Sequence, residues 1–269
     1  MIPVERHVNI TQLLQNKEYM SIASLSEALG VSESTIRRDL QQLEKRNLLS
    51  RVQGGAALRD FIYSRLSVEK RSDEFRVEKQ LIGRAAADQI NSGDTVILDS
   101  GTTTFYVAKY LNEKKNTTII TNALDTANIL KDRKGITLIS TGGVFITETH
   151  SFVGPIAERM IKEITADKLI MGMGGIGLDG LFTNSHILAV PLKQAMIKAS
   201  KEIIIVADHS KFGRSVLATV ATLMDVHKVI TDDGVGQEYL EMLAKKNIDV
   251  IIVNRNKEND YDERENGNS

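Results

Sequence analysis

Ser32-Glu33-Ser34-Thr35-Ile36-Arg37-Arg38-Asp39-Leu40 opens a helix with one apolar face, and the rest of the chain is best read outward from it. Ile36, Leu40 and Leu43 recur at spacings of four and three, the repeat of a helix buried along one side. Ser34, Thr35, Arg38, Gln41 and Gln42 then point away from that side, with Arg37 on its flank. Ser32 stands where a hydroxyl oxygen caps a helix by accepting a backbone N–H. Gly30, just ahead, suits a tight turn that needs positive φ, and Val31 is the turn's apolar residue. Upstream, residues 21–29 read as a short helix with Leu25, Ala28 and Leu29 facing in, and Ile10, Leu13 and Leu14 mark an earlier one. Two short helices, a glycine turn and an exposed polar face make a helix–turn–helix over about residues 20–39, with the later helix as the recognition helix.

The chemistry of that face fits duplex DNA. Ser32, Ser34, Thr35 and Gln41 offer short polar groups, and Arg37 and Arg38 reach phosphates and base edges. An arginine pair on a helix is by itself commonly solvated surface, so its setting matters. Between residues 37 and 65, Arg37, Arg38, Lys45, Arg46, Arg51, Arg59 and Arg65 outnumber Asp39, Glu44 and Asp60, in a chain of net charge −1. Nucleic-acid binding must therefore come from a local patch. Residues 48–52 followed by Gln53-Gly54-Gly55-Ala56 read as a strand and tight turn, a wing that carries Arg51.

Composition bounds the rest. At 269 residues the chain has room for about two domains, and 42% hydrophobic with 26% charged residues is ordinary for a soluble protein. Without cysteine it has no disulfide, thiolate metal site or cysteine nucleophile. No apolar run approaches the roughly 20 residues of a membrane span, and the first residues lack a signal peptide's apolar stretch. A cytoplasmic protein with no membrane partner is expected.

After residue 77 the pattern changes to strands alternating with helices. Apolar runs at Thr95–Leu98, Thr117–Thr121, Ile136–Ser140, 168–171, 202–207, 226–231 and 250–253 read as strands buried on both faces. Helical patterns at 103–111, 123–130, 155–164, 190–200 and 236–246 lie between them. This predicts an α/β domain with a mostly parallel sheet. The expected division is 1–59 for a winged helix–turn–helix domain, 60–77 for a charged linker, 78–254 for the α/β domain and 255–269 for a disordered acidic tail.

Ligands of open α/β sheets bind beyond the carboxyl ends of the strands. Four glycine or hydroxyl clusters fall there: Asp99-Ser100-Gly101-Thr102-Thr103-Thr104, Thr121-Asn122, Thr141-Gly142-Gly143, and Gly172-Met173-Gly174-Gly175-Ile176-Gly177. In the first, a glycine, flanking hydroxyls and a following helix start provide the elements of an anion site. It is not a P-loop, because no Gly-Lys-Ser/Thr follows. The last cluster matches a dinucleotide fingerprint in form, but Leu178-Asp179-Gly180 after it reads as a turn where a helix is required, so NAD is not expected. A further strand end leads to Asp208-His209-Ser210-Lys211, whose lysine could pair with a phosphate or a ligand oxygen, or simply flank a turn. The five histidines are scattered, and Glu148 with His150 makes no metal site alone.

Arg6, Ile10, Leu14, the stretch from Ser32 to Leu40 and the wing Arg51-Val52-Gln53-Gly54-Gly55-Ala56 together resemble the DeoR family of bacterial transcriptional regulators. The resemblance continues through the α/β part and covers nearly the whole chain apart from its tail. It implies a sensor domain related to the ribose-5-phosphate isomerase fold that responds to phosphorylated sugars. The family's Asp-x-Gly-Thr/Ser-Thr loop matches Asp99–Thr103, its Asp-x-x-Lys matches Asp208–Lys211, and its helix lysine falls at Lys193. The effector-site residues so expected are Asp99, Ser100, Gly101, Thr102, Thr103, Asn122, Gly142, Gly143, Gly174, Gly175, Lys193, Asp208 and Lys211, with no metal and no cofactor.

One departure bears on function. Relatives carry carboxylates in the loop before the helix lysine, whereas no Asp or Glu lies between Phe182 and Lys193 here. An aldose–ketose isomerase needs a base to move its proton, so no catalytic residue is expected. His186 in that loop could serve as a hydroxyl partner, though an ordinary loop histidine is the simpler reading. The reading reached is a repressor of a sugar catabolic operon, controlled by a phosphorylated sugar. It binds double-stranded operator DNA as at least a homodimer. The alternatives are a phosphosugar isomerase with an accessory helix–turn–helix, and a protein-interaction module beside a degenerate α/β domain.

Overall fold

In the computed structural model, which describes residues 3–17, 19–45, 49–52, 54–57, 68–111 and 116–254, the chain divides into two units, Met1–Leu66 and Ser67–Ser269. The first unit runs α1 (Pro3–Lys17), β1 (Tyr19–Ser21), α2 (Ile22–Leu29), α3 (Glu33–Lys45), β2 (Ser50–Val52) and β3 (Gly55–Ala57). Ser21 caps α2 by accepting from the Ser24 N–H at 3.0 Å. Gly30 ends that helix at φ +64°, a left-handed turn that glycine takes without steric cost. Ile10, Leu14, Leu25, Ile36, Leu40 and Leu43 close one core under α1, α2 and α3. Ala28, expected to face in, is exposed. On an eight-residue helix only a narrow stripe, Ile22, Leu25 and Leu29, meets that core.

Arg6 on α1 and Asp39 on α3 are both buried, joined by Nε to Oδ2 at 2.5 Å and by a second guanidinium N–H to Oδ1 at 2.9 Å. His7 Nε2 lies 3.1 Å from the same Oδ1. Burial alone would push the Asp39 carboxyl up, but hydrogen bonds from Arg6 and His7 hold it below the usual carboxylate value. The recognition helix is thus locked to α1 by a satisfied buried pair. Three short antiparallel strands in the order β1-β3-β2 form the wing's sheet. Sequence reading found one of them, because three residues are too few for alternation to register. Gln53, Arg46, Arg59 and Arg65 lie outside the described residues.

The second unit begins with α4 (Val68–Asp73) and α5 (Arg76–Ala87), so part of the stretch read as a linker is helix. Then follow β4 (Thr95–Leu98), α6 (Thr102–Tyr110), β5 (Thr117–Thr121), α7 (Leu124–Leu130), β6 (Ile136–Ser140), β7 (Val144–Ile146), β8 (Ser151–Val153), α8 (Pro155–Lys162) and β9 (Ala166–Gly172). The remainder is β10 (Gly175–Ile176), β11 (Leu181–Asn184), α9 (Val190–Lys198), β12 (Ser200–Val206), β13 (Ala218–Thr222), β14 (Lys228–Asp232), α10 (Gln237–Ala244) and β15 (Asp249–Val253). Seven strands make one parallel sheet in the order β15-β14-β12-β9-β4-β5-β6. Successive residues serve opposite faces: Ile97 enters one core with α8 and α9, and Val96 and Leu98 enter the other with α5 and α6.

The chain builds outward from β4 to β6, returns to β9 on the other side of β4, and continues to β15. The order therefore reverses between β4 and β9, the switch point at which such sheets open a crevice. Two small antiparallel additions, the hairpin β7–β8 and the sheet β10-β11-β13, escaped sequence reading. The Gly172–Gly177 run feeds β10 and a hairpin to β11, where a dinucleotide fingerprint would need a helix. Among the described residues no helix is long and apolar enough to cross a membrane. Residues 255–269 lie outside the described part.

Candidate functional site

On the first unit, Ser32 caps α3, and its hydroxyl also lies 2.9 Å from Ser34 Oγ and 3.0 Å from Thr35 Oγ1. Ser34, Arg37, Arg38 and Gln41 are exposed on one side of the helix. The arginines differ in commitment. Arg37 pairs with Glu33 one turn earlier at 2.9 Å, and Arg51 on β2 pairs with Glu44 at 2.7 Å. Among the described residues no carboxylate pairs with Arg38. Both paired side chains remain about half exposed or more, 61% for Arg37 and 49% for Arg51, so neither ion pair removes its guanidinium from solvent.

On the second unit, the expected effector residues follow consecutive strand ends along one edge of the sheet. Asp208 and Lys211 follow β12, Gly174 and Gly175 lie just beyond Gly172 at the end of β9, Asp99 to Thr103 follow β4, Asn122 follows β5, and Gly142 and Gly143 follow β6. Lys193 reaches the same edge from α9. Its ammonium donates to Asp99 Oδ2 and, at 2.9 Å, to the Gly172 carbonyl. Asp99 is 1% exposed and Lys193 5%, so the ion pair is almost dry. Burial pushes the Asp99 carboxyl up, against the attraction of Lys193. Among the described residues no donor meets Asp99 Oδ1 or Asn122 Oδ1 in good hydrogen-bond geometry, although the Ser100 and Gly172 N–H groups lie near enough to the Asp99 carboxylate to help lower its pKa. Asn122 points its amide nitrogen at the Phe152 carbonyl at 3.1 Å and at Ser100 Oγ at 3.5 Å. Two buried oxygens with acceptor capacity to spare thus stand at the crevice.

Beside them, Gly101 precedes α6, whose first turn contains Thr102, Thr103 and Thr104. The Thr104 hydroxyl is spent on the Gly101 carbonyl at 3.0 Å. The first N–H groups of a helix lack partners within it, so this end favours an anion. Lys211, on the next strand end but one, is buried, with its ammonium 3.7 Å from Asp208 Oδ2. Burial lowers its pKa to about 8. Asp208 takes the Ser210 N–H at 3.1 Å on its other oxygen.

Not every expected residue lines open space. A Cβ on Gly175 would stand 2.5 Å from the Arg214 carbonyl, and the Gly174 N–H is bonded to Thr183 O at 2.9 Å, so these two glycines serve close backbone packing. Gly172 is the glycine of that run with no atom within 4 Å of a built Cβ. His186 lines a mainly apolar cleft of about 240 Å³ with Ile146, Val153, Leu188 and Leu217. Burial, then the charge of Arg71, lowers its pKa, and Lys193 adds to the effect. Among the described residues, Glu78, His209 and Asp232 bring three ligand-type atoms within 4.8 Å. There His209 Nδ1 lies 2.6 Å from Asp232 Oδ2, which also takes the Gly234 N–H at 3.1 Å, the pattern of a hydrogen-bonded brace.

Residues 6–60 match the family model of the DeoR-like helix-turn-helix domain, and residues 74–233 match that of the DeoR C terminal sensor domain. The chain belongs to the DeoR family. It is 38% identical over 231 residues to the transcriptional repressor AccR of Agrobacterium fabrum, covering 86% of this chain and 90% of that one. It is 32% identical over 252 residues to the glycerol-3-phosphate regulon repressor of Escherichia coli, covering 94% and 100%. Among solved structures it resembles ribose 5-phosphate isomerase A of Neisseria gonorrhoeae, with TM-score 0.38, 14% identity, and 50% and 52% of the two chains covered. A score at that level says nothing of chemistry.

In this DeoR-family chain, Arg71 and Gly172 stand beside the expected site residues without a local signal in the sequence. Arg71 lay in a stretch of mixed charge that resembled a linker, and Gly172 lay in a glycine run whose members differ only in three dimensions.

Proposed function

We propose that this regulator represses an operon for sugar use, and that a phosphorylated sugar bound at the carboxyl edge of its sheet governs its hold on operator DNA. Ser32, Ser34, Thr35, Arg37, Arg38 and Gln41 of the recognition helix, with Arg51 of the wing, meet the duplex from the domain of residues 1–59. One helix–turn–helix reads only a few base pairs, so two copies at related half-sites are needed, and a homodimer or larger assembly follows. Such a regulator works in the cytoplasm, where the DNA is.

The observation that carries the effector reading is the crevice between β4 and β9. The helix start at Gly101–Thr103 and the Lys211 ammonium suit a phosphate, while the buried oxygens Asp99 Oδ1 and Asn122 Oδ1 suit sugar hydroxyls. Similarity to a repressor named for a glycerol-3-phosphate regulon supports a small phosphorylated ligand. Matched calorimetric titrations with free sugars and their phosphates test this. At least one phosphate is expected to bind well above its free sugar and to alter retention of duplex DNA. Equal binding of both forms, or ligand without effect on DNA, overturns the reading. The isomerase alternative is less well supported, since the loop before Lys193 has no carboxylate and the Asp99 carboxylate is tied to Lys193. Turnover of a sugar phosphate would restore it. Light scattering that finds a monomer both free and on DNA would remove the assembly.

A further inference from the structure

The corner between α4 and α5 touches three of the segments that surround the crevice. Arg71, on α4, donates to the Glu148 carbonyl at 2.9 Å, in the turn between β7 and β8. Its charge is close enough to lower the pKa of both Lys211 and His186, which lie on separate loops. Phe75 packs edge-on against the His209 ring, centroids 4.8 Å apart, and His209 belongs to the Asp208–Lys211 turn. Helix α4 packs on α6, the helix that starts at the Gly101–Thr103 loop. Lys79, fully buried, holds the corner from within by donating its ammonium to the carbonyls of Arg71 and Glu74.

Two features mark this corner as more than packing. Phe75 has φ +52°, a left-handed conformation that a bulky side chain keeps only where its surroundings hold it. His209, against which it is held, is itself fixed by Asp232 through its N–H at 2.7 Å and its ring at 2.6 Å. In addition, α4 is the first described helix after the chain leaves the DNA-binding unit. His209 in the Lys211 turn and Phe75 at the start of α5, directly after α4, are thus in contact within the second unit.

We propose that Arg71 is a ligand-contacting residue of the crevice and that its helix α4 carries ligand occupancy to the DNA-binding unit. The inference rests on the anion-site reading above. Arg71, Lys193, Lys211 and Arg214 bring four cations to one region that also holds Glu74, Asp99, Glu148 and Asp208, and an anion settling among the cations draws Arg71 from the Glu148 carbonyl and shifts α4. Phe75 and His209 are positioning residues in this scheme: they transmit the movement of the loop and do not touch the ligand.

Amide exchange followed by mass spectrometry on the full chain tests it. The probes are inorganic phosphate, glycerol 3-phosphate, ribose 5-phosphate and glucose 6-phosphate, with duplexes selected from a random library as DNA. A probe that raises the melting temperature is expected to change exchange over residues 68–73 as well as at the crevice. Arg71→Gln is expected to weaken that probe at least tenfold. Phe75→Leu, which keeps an apolar side chain, is expected to bind it as wild type does, yet to lose the exchange change at 68–73 and the effect on DNA retention. Unchanged probe affinity in Arg71→Gln, or full ligand control of DNA in Phe75→Leu, overturns the inference and leaves the anion site standing. Failure of every probe to bind overturns the anion site and the inference with it.

Discussion

The Lys193 ammonium joins Asp99, beyond the end of β4, to the Gly172 carbonyl, at the end of β9. These are the two neighbouring strands between which the sheet reverses its order. One side chain from α9 therefore bridges the two strand ends and balances the buried Asp99 carboxylate beside the Gly101 loop. An isolated carboxylate there would be costly, and burial already disfavours its ionised form.

Removing only the lysine is expected to be worse than removing the pair. Lys193→Met strands the Asp99 carboxylate in a dry site and should cost about 3–5 kcal/mol. The double variant Asp99→Asn with Lys193→Met should recover a large part of that, because no buried charge is left uncompensated. Urea denaturation of the two singles and the double checks this. Strict additivity would mean that the ion pair contributes no coupling.

Lys211 gives the site a pH dependence of definite sign. Its pKa falls from the ordinary lysine value to about 8. Between pH 8 and the ordinary value the unfolded chain binds more protons than the folded one, so stability should rise with pH across that window. Below pH 8 the full cost of burying the ammonium is present, on the order of 3 kcal/mol. Lys211→Met should flatten the wild-type slope above pH 8 in melts followed across pH. Phosphorylated ligands should bind more weakly as pH rises past 8 and the ammonium is lost, whereas Lys211→Arg should hold its affinity constant. An opposite slope for binding would take Lys211 out of the anion site.

The two arginines of the recognition helix are expected to differ. Arg38 is exposed and pairs with no carboxylate among the described residues, while Arg37 must leave Glu33 before it can serve DNA. Arg38→Ala should weaken duplex binding by about 1–3 kcal/mol, and Arg37→Ala by less. Glu33→Gln, which frees Arg37, should narrow the gap and steepen the salt dependence. Gel-shift titrations over a range of salt read all three. Wild-type affinity in both alanine variants would assign DNA recognition to another element.

What the sequence made legible follows from how local each signal is. Ile36, Leu40 and Leu43 announce their helix because a helical face repeats within a few residues, and Thr117–Thr121 announces its strand because both its faces are buried. The strand ends were equally plain, since Asp99-Ser100-Gly101 and Thr121-Asn122 each end an apolar run. Strands β10 and β13, of two and five residues, carry no such period and depend on partners distant in the chain. The same holds within the site. Lys193 meets Asp99 across 94 residues, and Phe75 meets His209 across a still longer span, so neither contact has a local trace. Gly172, Gly174 and Gly175 look alike in sequence, and only what stands beside each Cα separates the open one from the two that are packed.

The Gly101–Thr103 loop offers the most direct test of the crevice. Gly101 sits at the turn from β4 into α6, where a Cβ would come within 3.3 Å of Thr104 Oγ1, the hydroxyl that already closes the turn. Valine there must displace Thr104 or swing its methyl groups over the first N–H groups of α6, the groups an anion needs. Thr102→Val is milder, keeping the shape of the side chain and removing one hydroxyl donor, a loss of about 1–1.5 kcal/mol or roughly tenfold in affinity. Gly101→Val should abolish binding of a sugar phosphate, and Thr102→Val should weaken it while changing the free sugar's weaker binding little. Duplex binding without ligand should survive in both, because the recognition helix lies in the other unit. Calorimetry with a sugar and its phosphate, run beside gel shifts on the same preparations, separates these effects. If Gly101→Val binds the phosphate as tightly as wild type, the loop is a structural turn and the anion must be held elsewhere along the sheet's edge.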